Sequence, residues 1–344
     1  MKNLARLEAV DALVKQLLRE PEFADAVGVL VFGSFAAGAR DEESDLDVAV
    51  FFDDERLPSS TARVFRDIRV EVLCYPLQDL KETIGSPTLR KREDTWSRVC
   101  FWLNLLRNGR LIHDPTGVLH TWKQVAAGWQ WYDEEIQLVR ERIRQNILLA
   151  EELLRENRLW MSVVALRDAA NLALVHAILQ ANAIPSYRPK DLYNALTTFE
   201  SEARKTYDYI MGVHTEQPIR VRKLLDLLTT IYRARHLWSP AVRRALATAL
   251  RCLRRKDLKL AVLSSRHFAL EALVELCEYA AQHQYFNATT HQALLQKAAK
   301  NYPQVYQAYH ILHAIPPPDL RCTKKLLKKT RQFEAIVRTS CSVQ

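Results

Sequence analysis

The sequence predicts an α+β fold, with a mixed sheet flanked by helices in the N-terminal part and an all-α helical bundle after it. Three observations carry this. Short apolar runs bounded by turn residues occur only before about residue 120. Beyond that point apolar residues recur at three- and four-residue spacing instead. The composition, with only 8 Gly in 344 residues and abundant Leu, Ala, Arg and Glu, favours helix over sheet. The length suits two domains, and the change in pattern sets them at 1–120 and 121–344.

Residues 3–20 place Leu4, Leu7, Val10, Leu13, Val14 and Leu17 on one face of a helix that stops near Pro21. Ala26–Phe32 reads as a buried strand ending at Gly33, and Leu46–Phe52 as a second. Ile68–Tyr75 is a third, alternating Ile68, Val70, Val72 and Cys74 with Arg69, Glu71, Leu73 and Tyr75. Between the last two, Asp53–Arg66 is polar, contains Pro58 and reads as a loop or short helix. Thr95–Leu106 is helical, and Gly109–Asp114 is a final small strand before the turn signals Asp114-Pro115 and Gly117.

The second part reads as helices over Asp133–Asn157 and Leu159–Ala181, then one opening at Asp191 as N-cap after Pro185 and Pro189. Further helices are expected near 220–237, 240–256, 258–284, 289–313 and 321–338. No internal period stands out, so the region is a bundle rather than a solenoid.

Composition excludes several classes. Apolar content of 48% with 26% charged residues describes a globular chain without long disorder. No run approaches eighteen uncharged apolar residues, so no membrane span or membrane partner is expected. The amphipathic start, Met-Lys-Asn-Leu-Ala-Arg-Leu-Glu, is unlike a signal peptide. Six scattered cysteines never form Cys-x-x-Cys, which fits reduced thiols in a cytoplasmic protein better than zinc. Net charge is +9, but unevenly spread: residues 220–344 carry 22 Lys/Arg against 7 Asp/Glu, a net of +15, which leaves −6 for the first 219. That basic region is either a set of solvated helix faces or a lobe that receives nucleic acid. Oligomeric state is not legible.

The chemistry concentrates in residues 31–50, which join an apolar strand, Gly33-Ser34, Gly38, an acidic turn and Ser44-Asp45-Leu46-Asp47 at the start of the next strand. Asp45 and Asp47, two apart, project from one face of that strand. Paired carboxylates of this kind suit hard divalent cations, which prefer oxygen ligands. Glu71, on the neighbouring strand, is the candidate third carboxylate, as metal ligand or as general base toward an acceptor. Gly33 allows close backbone approach to a phosphate, and Ser34 donates to one at a helix N-terminus. Arg40 is placed to hold the β- and γ-phosphates, and Ser44 to orient the Asp45 loop.

This stretch resembles the nucleotidyltransferase superfamily typified by DNA polymerase beta, whose motif is Gly-Ser, a spacer and Asp-x-Asp/Glu. It is most similar to bacterial antibiotic nucleotidyltransferases and to the minimal nucleotidyltransferases. Arg69-Val-Glu71-Val is similar to a later strand of the aminoglycoside enzymes. The resemblance covers about residues 28–75 and implies two Mg2+ ions, an NTP (ATP being the commonest donor) and pyrophosphate release. Three acceptors are compatible with it: a hydroxyl of a small aminoglycoside or lincosamide, a tRNA end, or a partner protein to be AMPylated by an antitoxin-like enzyme. The two-domain plan and the −6 balance of the first 219 residues favour the small cationic acceptor.

In the helical part, Glu134, Glu135 and Asp168 are candidate bases, with an internal ion pair as the alternative for Asp168. Trp122, Trp129, Trp131 and Tyr132 are either ring-stacking or packing residues. His176 reads as core, Arg233–His236 as either an RNA contact or a solvent-facing run, and Lys324–Lys329 as an amphipathic basic surface helix.

Overall fold

The computed structural model describes residues 2–33, 46–54, 57–65, 68–85, 96–186, 188–213, 221–233, 239–277, 287–313 and 318–341. The chain divides into two compact units, Met1–Gln130 and Trp131–Gln344. The first unit therefore continues beyond residue 120, the expected boundary, through one more helix.

In unit 1, helix α1 (Lys2–Leu17) leads through a 3-10 turn at Pro21–Phe23 into strand β1 (Gly28–Phe32). Strands β2 (Leu46–Phe52), β3 (Thr61–Phe65) and β4 (Ile68–Pro76) follow, then helices α2 (Leu77–Gly85) and α3 (Trp96–Asn108), strand β5 (Arg110–His113) and helix α4 (Val118–Ala127). The strands form one mixed five-stranded sheet in the order β3-β4-β2-β1-β5. Only β2 and β4 run parallel. The α+β class is as expected.

Residue alternation sorts the sheet into two faces. Val29, Val31, Val48, Val50, Val70 and Val72 pack with Val10, Leu13, Val14 and Leu17 of α1 and with Phe23. On the other face Phe51 and Tyr75 meet Phe101 and Trp102 of α3, with Tyr75 and Trp102 edge-to-face at 5.0 Å between centroids. Arg107 on α3 donates to the carbonyls of Ala126 (2.6 Å) and Trp129 (2.9 Å) at the end of α4. Lys123 on α4 donates in turn to Leu106 and Gly109 at the end of α3. Each helix thus neutralises the other's unsatisfied C-terminal carbonyls with a cation.

Strand β3 corrects the expectation of a loop or short helix over Asp53–Arg66. Its pattern is that of an edge strand with one face in water, and Val64 is 74% exposed. Arg63 fixes it from a distance. Its guanidinium donates to both Glu20 carboxylate oxygens (2.8 and 2.6 Å) and to Glu22 (2.6 Å) over the Phe23 ring.

Unit 2 is helical throughout its described residues: α5 (Asp133–Arg155), α6 (Leu159–Gln180), α7 (Pro189–Ala195), α8 (Ser201–Met211), α9 (Val221–Arg233), α10 (Pro240–Arg254), α11 (Leu258–Leu276), α12 (Ala288–Asn301), α13 (Pro303–His313) and α14 (Leu320–Cys341). Helix α6 is long and apolar enough to cross a membrane by length and composition, and that stretch is wholly buried as the centre of the bundle. Helices α5 and α14 pack against it.

Two expectations are corrected here. The helix expected over 289–313 is two, broken at Tyr302 because Pro303 cannot donate a backbone bond and sits in the first turn of α13. The helix expected over 258–284 is present over Leu258–Leu276, and residues 278–284 lie outside the described residues. Asp191 is not an N-cap: Arg188 holds that position, and Asp191 lies inside the first turn, accepting from the Ser186 hydroxyl at 2.9 Å.

Candidate active site

The end of β1 and the starts of β2 and β4 meet at one row of the sheet. Phe32 on β1 pairs with Asp47 on β2, and Asp47 pairs with Glu71 on β4. Neighbours in register share a face, so the two carboxylates project side by side. They lie on the face that carries Phe51 and Tyr75 further along the strands. Phe32 makes an edge-to-face contact with Phe101 at 6.3 Å. The aromatic cover of α3 therefore reaches the row without enclosing the acids, and Asp47 and Glu71 are both half-buried.

Gly33 closes the row. Its φ of +78° is left-handed, and a Cβ built there would lie 2.1 Å from Oδ2 of Asp47. The glycine is thus required twice, by backbone conformation and by the carboxylate against it. Of the residues singled out from sequence, Gly33, Asp47 and Glu71 are brought together. Ser34, Arg40, Ser44 and Asp45 lie outside the described residues. The donor set present fits a hard cation: two carboxylates in register, partly open to solvent, with Asp45 two residues from Asp47 in sequence. Among the described residues no group of three or more metal-ligating side chains is complete.

Residues 14–82 match the family model "Polymerase beta, Nucleotidyltransferase". That segment is similar to the DNA polymerase beta-like nucleotidyltransferase superfamily. The nucleotidyltransferase match spans the end of α1 through β4 and most of α2, and so contains the whole row of Gly33, Asp47 and Glu71. Among solved structures, a nucleotidyltransferase-like protein from Exiguobacterium sibiricum is similar at 10% identity over 86% of this chain and 89% of that one, with a TM-score of 0.41. No curated protein sequence matches the chain.

The helical candidates have structural places. Glu135 is buried at the start of α5, where it accepts from the Tyr132 backbone N–H at 2.9 Å. Glu134 is exposed. Trp122 packs against Gly85, and Trp131 donates to the Ala183 carbonyl at 2.9 Å. His176 is core, as expected, and burial pushes its pKa down to about 4, with Arg140 and Arg338 adding to the effect. Of the basic run Arg233–His236, only Arg233 lies within the described residues.

Asp168 sits inside unit 2, with 6% exposure, and its Oδ2 is 3.0 Å from Nδ1 of His291. The Tyr309 hydroxyl bonds the other ring nitrogen. The internal partner, not an open acceptor site, is what this acid faces. Sequence reading missed the cluster around it. Arg167 donates to the carbonyls of Ile210 (3.2 Å) and His313 (2.5 Å), and Arg266 to those of Leu312 (2.9 Å) and Met211 (2.6 Å). Two buried guanidiniums thus cap the C-termini of α8 and α13. Each helix end carries roughly half a negative elementary charge. With Asp168, that offsets the two cations. The signal available in sequence was the Arg167-Asp168 pair, the only Arg, Lys, Asp or Glu within a 22-residue helix.

Proposed function

We propose that this nucleotidyltransferase moves a nucleoside monophosphate from ATP to a hydroxyl of a small cationic antibiotic, of the aminoglycoside or lincosamide kind, with release of pyrophosphate. The observation that carries the transfer chemistry is the register of Asp47 with Glu71 beside Gly33. Asp45, Asp47 and Glu71 would hold two Mg2+ ions. When bound, these supply Lewis-acid stabilisation of the charge on the transferring and leaving phosphates. The chain's own residues do the positioning. Gly33 admits the phosphates close to the backbone, Ser34 and Arg40 hold their oxygens, and Ser44 orients the Asp45 loop. Where Glu71 is not a metal ligand, it is the general base for the acceptor hydroxyl. The −6 balance of the first 219 residues supports a cationic acceptor, and the free thiols of Cys74, Cys100, Cys252, Cys277 and Cys322 support a cytoplasmic setting.

A second reading, transfer to RNA, is favoured by one observation. Helix α14 exposes Arg321, Lys324, Lys325 and Lys328 within two turns, a surface suited to phosphates. The experiment is incubation with Mg2+ and α-labelled ATP against aminoglycosides, lincosamides, tRNA and whole-protein extract. Label on an antibiotic alone supports the first reading. Label on RNA or protein alone refutes it. Asp47→Asn and Glu71→Gln are each expected to lower turnover by about 100-fold or more, the equivalent of about 3 kcal/mol, with unchanged thermal melts. Full activity in either variant would refute the assignment.

A further inference from the structure

Unit 2 contains an open cavity of about 660 Å3 between the α5–α6 turn, α12 and α13. That volume is in the range of small-molecule sites. Its wall is aromatic. Tyr306 stands edge-on to Trp160, with centroids 5.8 Å apart and planes at 75°, and His310 does the same at 4.8 Å and 81°. Two rings perpendicular to an indole form a corner in which a flat ligand stacks on one surface and meets another edge-on. Met161 and Leu295 add apolar lining.

One cation lines the same cavity. Arg158 is held to Glu156 at 3.3 Å, and with the Gln292 amide oxygen turned toward it, it donates there at 3.0 and 3.1 Å. A guanidinium has five N–H donors, so these partners orient it without exhausting it. Burial lowers the pKa of His310, so at neutral pH its ring is an uncharged donor and acceptor rather than a second cation. The rings offer a stacking surface, and the N–H donors of Arg158 left over from Glu156 and Gln292 offer an acidic group on a flat ligand charge-assisted bonds.

We propose that this cavity is a binding site for a planar heteroaromatic molecule carrying an acidic group. The proposal is independent of nucleotidyl transfer, since no cavity-lining residue belongs to the row of Gly33, Asp47 and Glu71.

The test is titration calorimetry of the full chain with three probes: quinaldate, which is flat and anionic, quinoline, which is flat and neutral, and cyclohexanecarboxylate, which is anionic but not flat. Quinaldate is expected to bind, and each of the others about tenfold or more weakly, the loss of one charge-assisted bond or one stacked ring. Trp160→Ala and Arg158→Gln are each expected to weaken quinaldate by about tenfold, with Arg158→Gln leaving quinoline unchanged. Asp47→Asn is expected to leave all three unchanged, which separates this cavity from the triphosphate site. If Trp160→Ala fails to fold, His310→Ala takes its place. No binding of quinaldate, equal binding of cyclohexanecarboxylate, or affinity indifferent to both Arg158→Gln and the aromatic variant would overturn the proposal.

Discussion

Replacing Gly33 by alanine separates two roles that the structure gives this residue. The first is conformational: at φ +78° an L side chain is strained, by about 1–2 kcal/mol. The second is steric. The added Cβ would lie 2.1 Å from Oδ2 of Asp47. Ordinary contact needs a little over 3 Å, so the carboxylate must retreat by about 1 Å, and a misplacement of that size costs about 100-fold in rate. Gly117 supplies the control. It has nearly the same φ, +73°, in the same unit, but a Cβ there meets nothing within 4 Å. Gly33→Ala and Gly117→Ala should therefore lose similar stability in urea titrations, about 1–2 kcal/mol each. Only Gly33→Ala should lose turnover, by about 100-fold per folded molecule. The readout is release of pyrophosphate at saturating ATP and acceptor, normalised to the folded fraction. Equal turnover in the two variants would refute the claim that the glycine makes room for the carboxylate.

Other outcomes follow from the same geometry. Arg63→Ala removes the clamp between β3 and the Glu20–Phe23 turn, and should cost about 2 kcal/mol in denaturant titration, whereas an unchanged midpoint would show that β3 is held by its ladder alone. Asp168→Ala leaves one ring nitrogen of His291 without its partner in the interior and should cost about 1–3 kcal/mol, while the fraction still folded keeps its turnover; selective loss of turnover would restore Asp168 as a base. The folded state should weaken in acid through His176, whose pKa is about 4 when folded against 6.5 when exposed. Below about pH 6.5 the unfolded chain takes up a proton that the folded one refuses, so stability present above 6.5 drains away toward pH 4, by up to about 3 kcal/mol. His313, pushed the same way by burial and by Arg266 and Arg167, adds to the loss. Melting curves between about pH 7.5 and 4.5 check this, and a flat profile, or one unaltered by His176→Phe, would contradict it.

What the sequence made visible depends on how far apart the cooperating residues lie. Strands β1, β2 and β4 announced themselves because burial on both faces, or strict alternation, is written into consecutive residues. The pairing of Asp47 with Glu71 was foreshadowed by the same alternation, although the parallel register that makes them neighbours exists only once β2 and β4 are side by side. Strand β3 gave no such signal, because an edge strand with exposed Val64 gains its place from Glu20, about forty residues earlier. Helices α2, α4 and α8 were passed over because each is short and mixes polar with apolar residues.

In unit 2 the same rule explains why function was harder to read than fold. Helical periodicity is local, so most helices were expected where they occur. The polar chemistry is not local: Asp168, His291 and Tyr309 come from three helices, and Arg167 and Arg266 meet the ends of α8 and α13. A sequence scan for acids in this region selects Asp168, an acid already committed to an internal partner. The cavity beside Trp160 was invisible for the converse reason. Trp160, Tyr306 and His310 each read as ordinary amphipathic positions, and only the packing of α6 against α13 turns them into a wall. In the proposed scheme donor chemistry is carried by a contiguous motif, whereas ligand selection in the helical unit rests on side chains that no single stretch contains. Swapping that motif with a relative's should preserve nucleotidyl transfer, while changes at Arg158 or Trp160 should alter which flat anions bind and leave the transfer chemistry of Asp47 and Glu71 in place.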